Sequence, residues 1–189
     1  MLEAITLDGS NVSAEIDAYL HHLTWGYDGV FKYGNNLDAE IVTNNLIKIK
    51  DGLLINQGRF MRIVPGSYEE IAIENGLTGV NRTDLIVAHF ETDGITETFD
   101  IRVIKGTNDA GEPDYTTGDT FTGATVNELP LYAVNIEGIN ITSIDKKFKY
   151  IQSQKETNDA LIALQERMPF FLQNDADSLL DDLNPNREE

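Results

Sequence analysis

The chain has 189 residues, 41% of them hydrophobic, which suffices for one domain with an appendage, or for two small units, without disulfides. Its 14 Lys and Arg stand against 32 Asp and Glu, a net charge of −18 that works against long-range attraction to nucleic-acid phosphates or anionic membranes. With no Cys, thiol catalysis, thiolate metal sites and disulfides are excluded together.

The opening residues carry Asp8, Glu15 and Asp17, where a secretory leader needs a basic start and an apolar run. No later stretch has the length and apolarity of a membrane span, so a soluble chain made without a signal peptide is expected. Cap-type residues from Ser10 to Ser13 precede Ile16, Leu20 and Leu23, whose spacing predicts a short amino-terminal helix with those three along one side. Gly26, Gly29 and Gly34-Asn35-Asn36 then interrupt it, and the β portion is expected to begin at Ile41 to Thr43.

From Asn44 to Lys105, short β-type runs alternate with turn residues. Leu46-Ile47-Lys48-Ile49-Lys50 alternates apolar and basic positions before Asp51-Gly52, the pattern of a half-buried strand entering a turn. Leu53 to Ile55, Phe60 to Ile63 and Ile71 to Ile73 follow, separated by Gln57-Gly58 and Pro65-Gly66, with Asn75-Gly76 closing the series. The clearest hairpin joins Leu85 to Glu91 with Thr98 to Ile104 through Asp93-Gly94. Gly106 to Gly123 is polar and contains Pro113, which predicts an exposed excursion between strands. Leu131 to Ile136 resumes the sheet after Pro130, and a further short segment runs through Ile141 and Ile144.

After Lys146-Lys147 the composition turns to Lys, Gln, Glu, Asn, Ala and Leu, predicting a helix from about Tyr150 to Met168 stopped by Pro169. A heptad frame places Gln154, Leu161 and Met168 at one seam position and Thr157, Leu164 and Phe171 at the other. The leading half of that seam is polar, so two readings stand: oligomerisation through Leu161, Leu164 and Met168, or a helix packed on its own domain. The acidic end, Asn174 to Glu189, is expected to fray, with Leu179, Leu180 and Leu183 as a small apolar group able to dock on a partner. The fold expected is mainly β: an antiparallel β-sandwich or barrel-like body over residues 1–148, then a helical stalk and acidic tail over 149–189.

The ordered set Ile41 to Gly52, Gln57-Gly58-Arg59, Gly66 to Ile71, Asn75-Gly76, Asn81 to Val87, Val103 to Thr107, Pro113 with Tyr115 to Asp119, and Leu129 to Tyr132 resembles an amino-terminal module of tail and baseplate proteins from phages of Gram-positive bacteria. The resemblance runs from about Asp8 to Phe148. It implies the attachment domain of baseplate upper or receptor-binding proteins, which anchors to the tail while carboxy-terminal parts project outward. On that resemblance the chain is expected to be a structural component of a phage, prophage or tailocin tail, made in the bacterial cytoplasm. It would hold other tail proteins and copies of itself by contact, as a trimer. No cofactor and no catalytic residue belongs to the pattern, and the chain ends soon after the helix, unlike larger members.

Residues with chemistry of their own have simpler readings. His21 and His22 are adjacent, so on a helix they point about 100° apart and cannot chelate as an i, i+4 pair does. His89 lies in an alternating strand without a Ser or Cys nucleophile pattern, and a plain strand position is expected. Asp109, Glu112, Asp114 and Asp119 gather oxygen ligands in one loop, but their spacing does not follow the twelve-residue Ca²⁺ loop. Paired carboxylates of a glycosidase arise by chance among 32 acids. The alternative to an attachment protein is a carbohydrate-binding adhesin whose β body stacks a cell-surface glycan on Trp25, Tyr27 and Tyr68.

Overall fold

The computed structural model describes the backbone of residues 12–183 and the side chains of residues 12–168. Ser10, part of the expected cap, lies outside the described residues. Helix α1 spans Ala14–Trp25: Ser13 is its N-cap, with its hydroxyl accepting from the Ile16 amide at 3.2 Å, and Gly26 closes it at φ 73°. Leu20 and Leu23 face solvent, while Ala18 is the buried residue of the helix. The cause is steric: α1 sits so close to the Gln57-Gly58 turn that a Cβ on Gly58 would overlap the Ala18 carbonyl.

The chain is mainly β, with two sheets. One contains β1 (Gly29–Phe31), β2 (Ala39–Thr43), β3 (Leu46–Asn56), β4 (Arg59–Ala72) and β9 (Tyr150–Ile151); the other runs in the order β6 (Glu97–Ile104), β5 (Asn81–Thr92), β7 (Val126–Glu137), β8 (Asn140–Lys146). Several expected turns are absorbed into longer strands. Asp51-Gly52 lies inside β3, and Pro65-Gly66 lies inside β4, where residues 64–67 bulge opposite Asp51. The bulge removes Pro65 from the ladder, where its missing N–H would break a bond. Pro130 likewise sits within β7 at a register shift, so that strand begins before it. The Gln57-Gly58 turn forms with both residues at positive φ, and the β5–β6 hairpin pairs His89 with Asp100 and Phe90 with Phe99. Its turn is tied by Asp93, whose carboxylate accepts from the Thr96 and Ile95 amides at 2.6 and 2.8 Å and is held below its ordinary pKa by those bonds. Residues 105–125 contain no strand, as expected of the excursion.

Two features escaped the sequence reading. The β portion starts at Gly29, well before Ile41, because β1 is only three residues long and is held by β3 on one side and by β9, in parallel, on the other. The segment after β1 then passes through Gly34, Asn36 and Leu37, all at positive φ. That conformation costs a non-glycine residue about 1 kcal/mol or more. It is offset by full burial of Leu37, a bond from the Leu37 amide to the Asp51 carbonyl (3.2 Å), and one from the Tyr132 hydroxyl to the Leu37 carbonyl (2.7 Å). Burial raises the Tyr132 pKa well above its usual value, with the Asp38 charge adding to the effect.

The larger apolar cluster draws on both sheets, with Val30, Ile47, Ile49 and Leu54 from the first and Ile86, Ala88, Leu131 and Val134 from the second, and a smaller one gathers Leu85, Val87 and Ala133. The chain divides into two compact units, Met1–Ile151 and Gln152–Glu189. Because Tyr150 and Ile151 pair with β1, the body extends to residue 151 and the carboxy-terminal helix starts later than Tyr150. This helix, α2, spans Gln154–Leu183 and runs through Pro169, which was expected to stop it. A proline inside a helix costs about 3 kcal/mol, a loss spread here over a long run of good helix formers. The stretch expected to fray is thus helical as far as Leu183.

Candidate functional site

Helix α2 opens on a reciprocal cap: the Ser153 amide donates to Glu156 Oε2 (2.8 Å) and the Glu156 amide to Ser153 Oγ (3.2 Å). This Ser-Gln-Lys-Glu signal was present in the sequence and fixes the helix start. Lys155 pairs with Asp159 one turn on. Along the following turns Leu161, Leu164 and Met168 lie within an arc of about 60° at 100° per residue, and they are 52%, 53% and 50% exposed. Gln154 and Thr157, which lead the seam, are exposed polar residues, and Ile162 is an exposed aliphatic off the stripe. Phe171, Leu179, Leu180 and Leu183 continue the helix sequence beyond the described side chains.

The three aromatic residues considered for glycan stacking have separate surroundings. Trp25, half-buried at the end of α1, meets Phe31 edge-on at 5.0 Å. Tyr68 lies on β4 beneath the Lys48 ammonium, 4.2 Å from its ring centre. Tyr27 lines a groove with Tyr115, Pro130 and Phe148 that includes neither of the other two.

His21 packs edge-on against Phe60 at 4.8 Å and His22 tilts over Phe121 at 5.2 Å, so the adjacent pair diverges as helical geometry requires. His89 is more than a plain strand position. It is buried, with Nδ1 2.8 Å from Glu128 Oε1 and Nε2 2.8 Å from Arg102 Nη1. A guanidinium can only donate, so Nε2 accepts and the proton lies on Nδ1, directed at Glu128. The other Glu128 oxygen accepts from the Thr116 amide at 2.6 Å, fastening the excursion to β7.

A second buried network joins the two sheets. Asn56 Nδ2 donates to the carbonyls of Ala88 (3.1 Å) and Asn127 (3.2 Å), while its oxygen accepts from Asn127 Nδ2. Asp28 accepts from the Gln57 amide at 2.8 Å, and Gln57 Oε1 accepts from the Thr120 amide at 3.1 Å. Elsewhere Arg82 and Asp84 form a buried pair, whose carboxylate also accepts from the Gly106 amide at 2.9 Å. Among the described residues every buried side-chain polar atom has a partner. Sequence reading missed these groups because polar residues inside β-type runs carry no signature of what they will face.

Three of the four loop carboxylates have separate partners. Asp109 accepts from the Asn81 amide (3.0 Å), Glu112 pairs with Lys147, and Asp119 accepts from the Phe121 amide (2.9 Å). Among the described residues no three His, Asp or Glu side chains converge as metal ligands, and no helix is long and apolar enough to cross a membrane. No protein-family model and no curated protein matches the chain.

Proposed function

We propose that the protein is a structural subunit of a phage, prophage or tailocin tail baseplate, acting through contact surfaces and self-associating as a trimer through α2. The observation that carries the association is the stripe Leu161, Leu164, Met168, half exposed on a long helix. A helix without packing partners is marginal in water, and covering an apolar stripe with copies of itself is the common remedy. The polar seam positions Gln154 and Thr157 fit a device that sets register and oligomer number at some cost in stability. The body suits such a role as a stiff element, packed as a mainly antiparallel sandwich, in which every buried side-chain polar atom of the described residues has a hydrogen-bond partner. The ordered motifs from Ile41 to Tyr132 supply the link to tail proteins, and surface contact is the work the reading assigns, with no bond made or broken. Immunogold labelling of tail particles from a bacterium producing this chain tests the placement. Label at the tail tip is expected, and label absent from intact particles would remove the reading.

A further inference from the structure

A groove of about 420 Å³ on the β body has the construction of a ligand site. Its apolar lining is Leu129, Pro130 and the buried Phe148, which is held edge-on by Tyr132 and Tyr150 at 5.6 and 5.5 Å. Tyr27 and Tyr115 form walls, each 43% exposed. Asp28, Lys147 and Lys149 also line it: the Asp28 carboxylate accepts from the Gln57 amide at 2.8 Å and from the Gln57 and Asn127 side chains at 3.4 Å, Lys147 is paired with Glu112, and Lys149 is exposed and meets no described carboxylate.

From this arrangement we infer that the groove binds a saccharide bearing an acidic substituent, a carboxylate or a phosphate. Aromatic walls and an apolar lining offer flat surfaces to the C–H faces of a sugar ring, and an exposed ammonium meets a negative group and hydroxyls. Strand addition by a peptide is disfavoured, because the nearby backbone is already used: the Lys147 amide donates to the Leu131 carbonyl and the Val30 amide to the Lys149 carbonyl, both at 3.0 Å. The overall charge of −18 repels polyanions at long range, but at physiological salt screening acts over about 8 Å, so the ammonium in contact with the ligand dominates. The inference is independent of self-association through α2.

The test is calorimetric titration of the full chain with three probes. They are a tetrasaccharide alternating glucuronate and N-acetylglucosamine, the same tetrasaccharide with its carboxylates reduced to alcohols, and a trisaccharide whose one charged group is a phosphate. Binding of one or both acidic probes with at least about tenfold weaker binding of the reduced one is expected, and Tyr115→Ala and Lys149→Glu should each weaken it about tenfold. Which acidic probe binds identifies the source of the charge. No binding of either acidic probe, equal binding of the reduced tetrasaccharide, or affinity unchanged in both variants would overturn the inference. Both positions are exposed, and an unchanged melting temperature confirms that the variants are folded.

Discussion

Asn56→Ala should destabilise the β body out of proportion to the size of the side chain. The amide is fully buried and joins β3 to two strands of the other sheet by donating to Ala88 and Asn127 and accepting from the Asn127 side chain. Each such bond contributes about 1 kcal/mol, and buried carbonyls left without donors lose more, so the expected loss is about 3 kcal/mol. For a unit of this size that lowers the melting temperature by about 6–12 °C. Urea unfolding followed through Trp25, the sole tryptophan, measures it directly. Asn127→Ala should cost a similar amount, since it also frees the Gly118 amide that donates to Asn127 Oδ1 at 3.0 Å. The double variant should fall short of the sum by at least about 1 kcal/mol, because the two singles remove the same shared bond. A change within about 0.5 kcal/mol for Asn56→Ala, or strict additivity, would refute a cooperative bridge between the sheets.

Alkaline stability should report Tyr132. Its folded pKa is raised by burial, so the phenol ionises first in the unfolded chain; the stability it contributes is complete below about pH 10 and declines as pH rises toward the folded value. Melting curves between pH 9 and 11 should show that decline in the wild type and a shallower one in Tyr132→Phe, and identical slopes would contradict it. Gly58→Ala combines a φ of 72° with an overlap on the Ala18 carbonyl, and should displace α1 at a cost of about 2 kcal/mol or more, seen as a changed Trp25 emission. Asp84→Asn leaves Arg82 charged in a buried site and should lower stability by about 3 kcal/mol in the same urea assay, whereas a neutral outcome would mean the pair is solvated.

Much of the β content was legible because alternation and turn residues act locally: the Leu85 to Ile104 hairpin needs only its own two strands and Asp93-Gly94. What failed was punctuation. Asp51-Gly52, Pro65-Gly66 and Pro130 look like turns in isolation, yet each sits inside a strand where a bulge or close packing absorbs it, and a bulge depends on the opposing strand. Strand β1 was invisible because three residues held from both sides need no pattern of their own. The stripe on α2 was legible from heptad spacing, whereas the groove was not: Tyr27, Tyr115, Pro130 and Lys149 come from four separated segments that only the tertiary fold brings together.

The proposed assembly depends on α2 joining copies of the chain. Multi-angle light scattering of the full chain, beside a version ending after Ser153 that keeps β9, tests it most directly. A trimer through α2 gives three times the 21.1 kDa chain mass for the first and a single chain for the second. A monomer in both would contradict it.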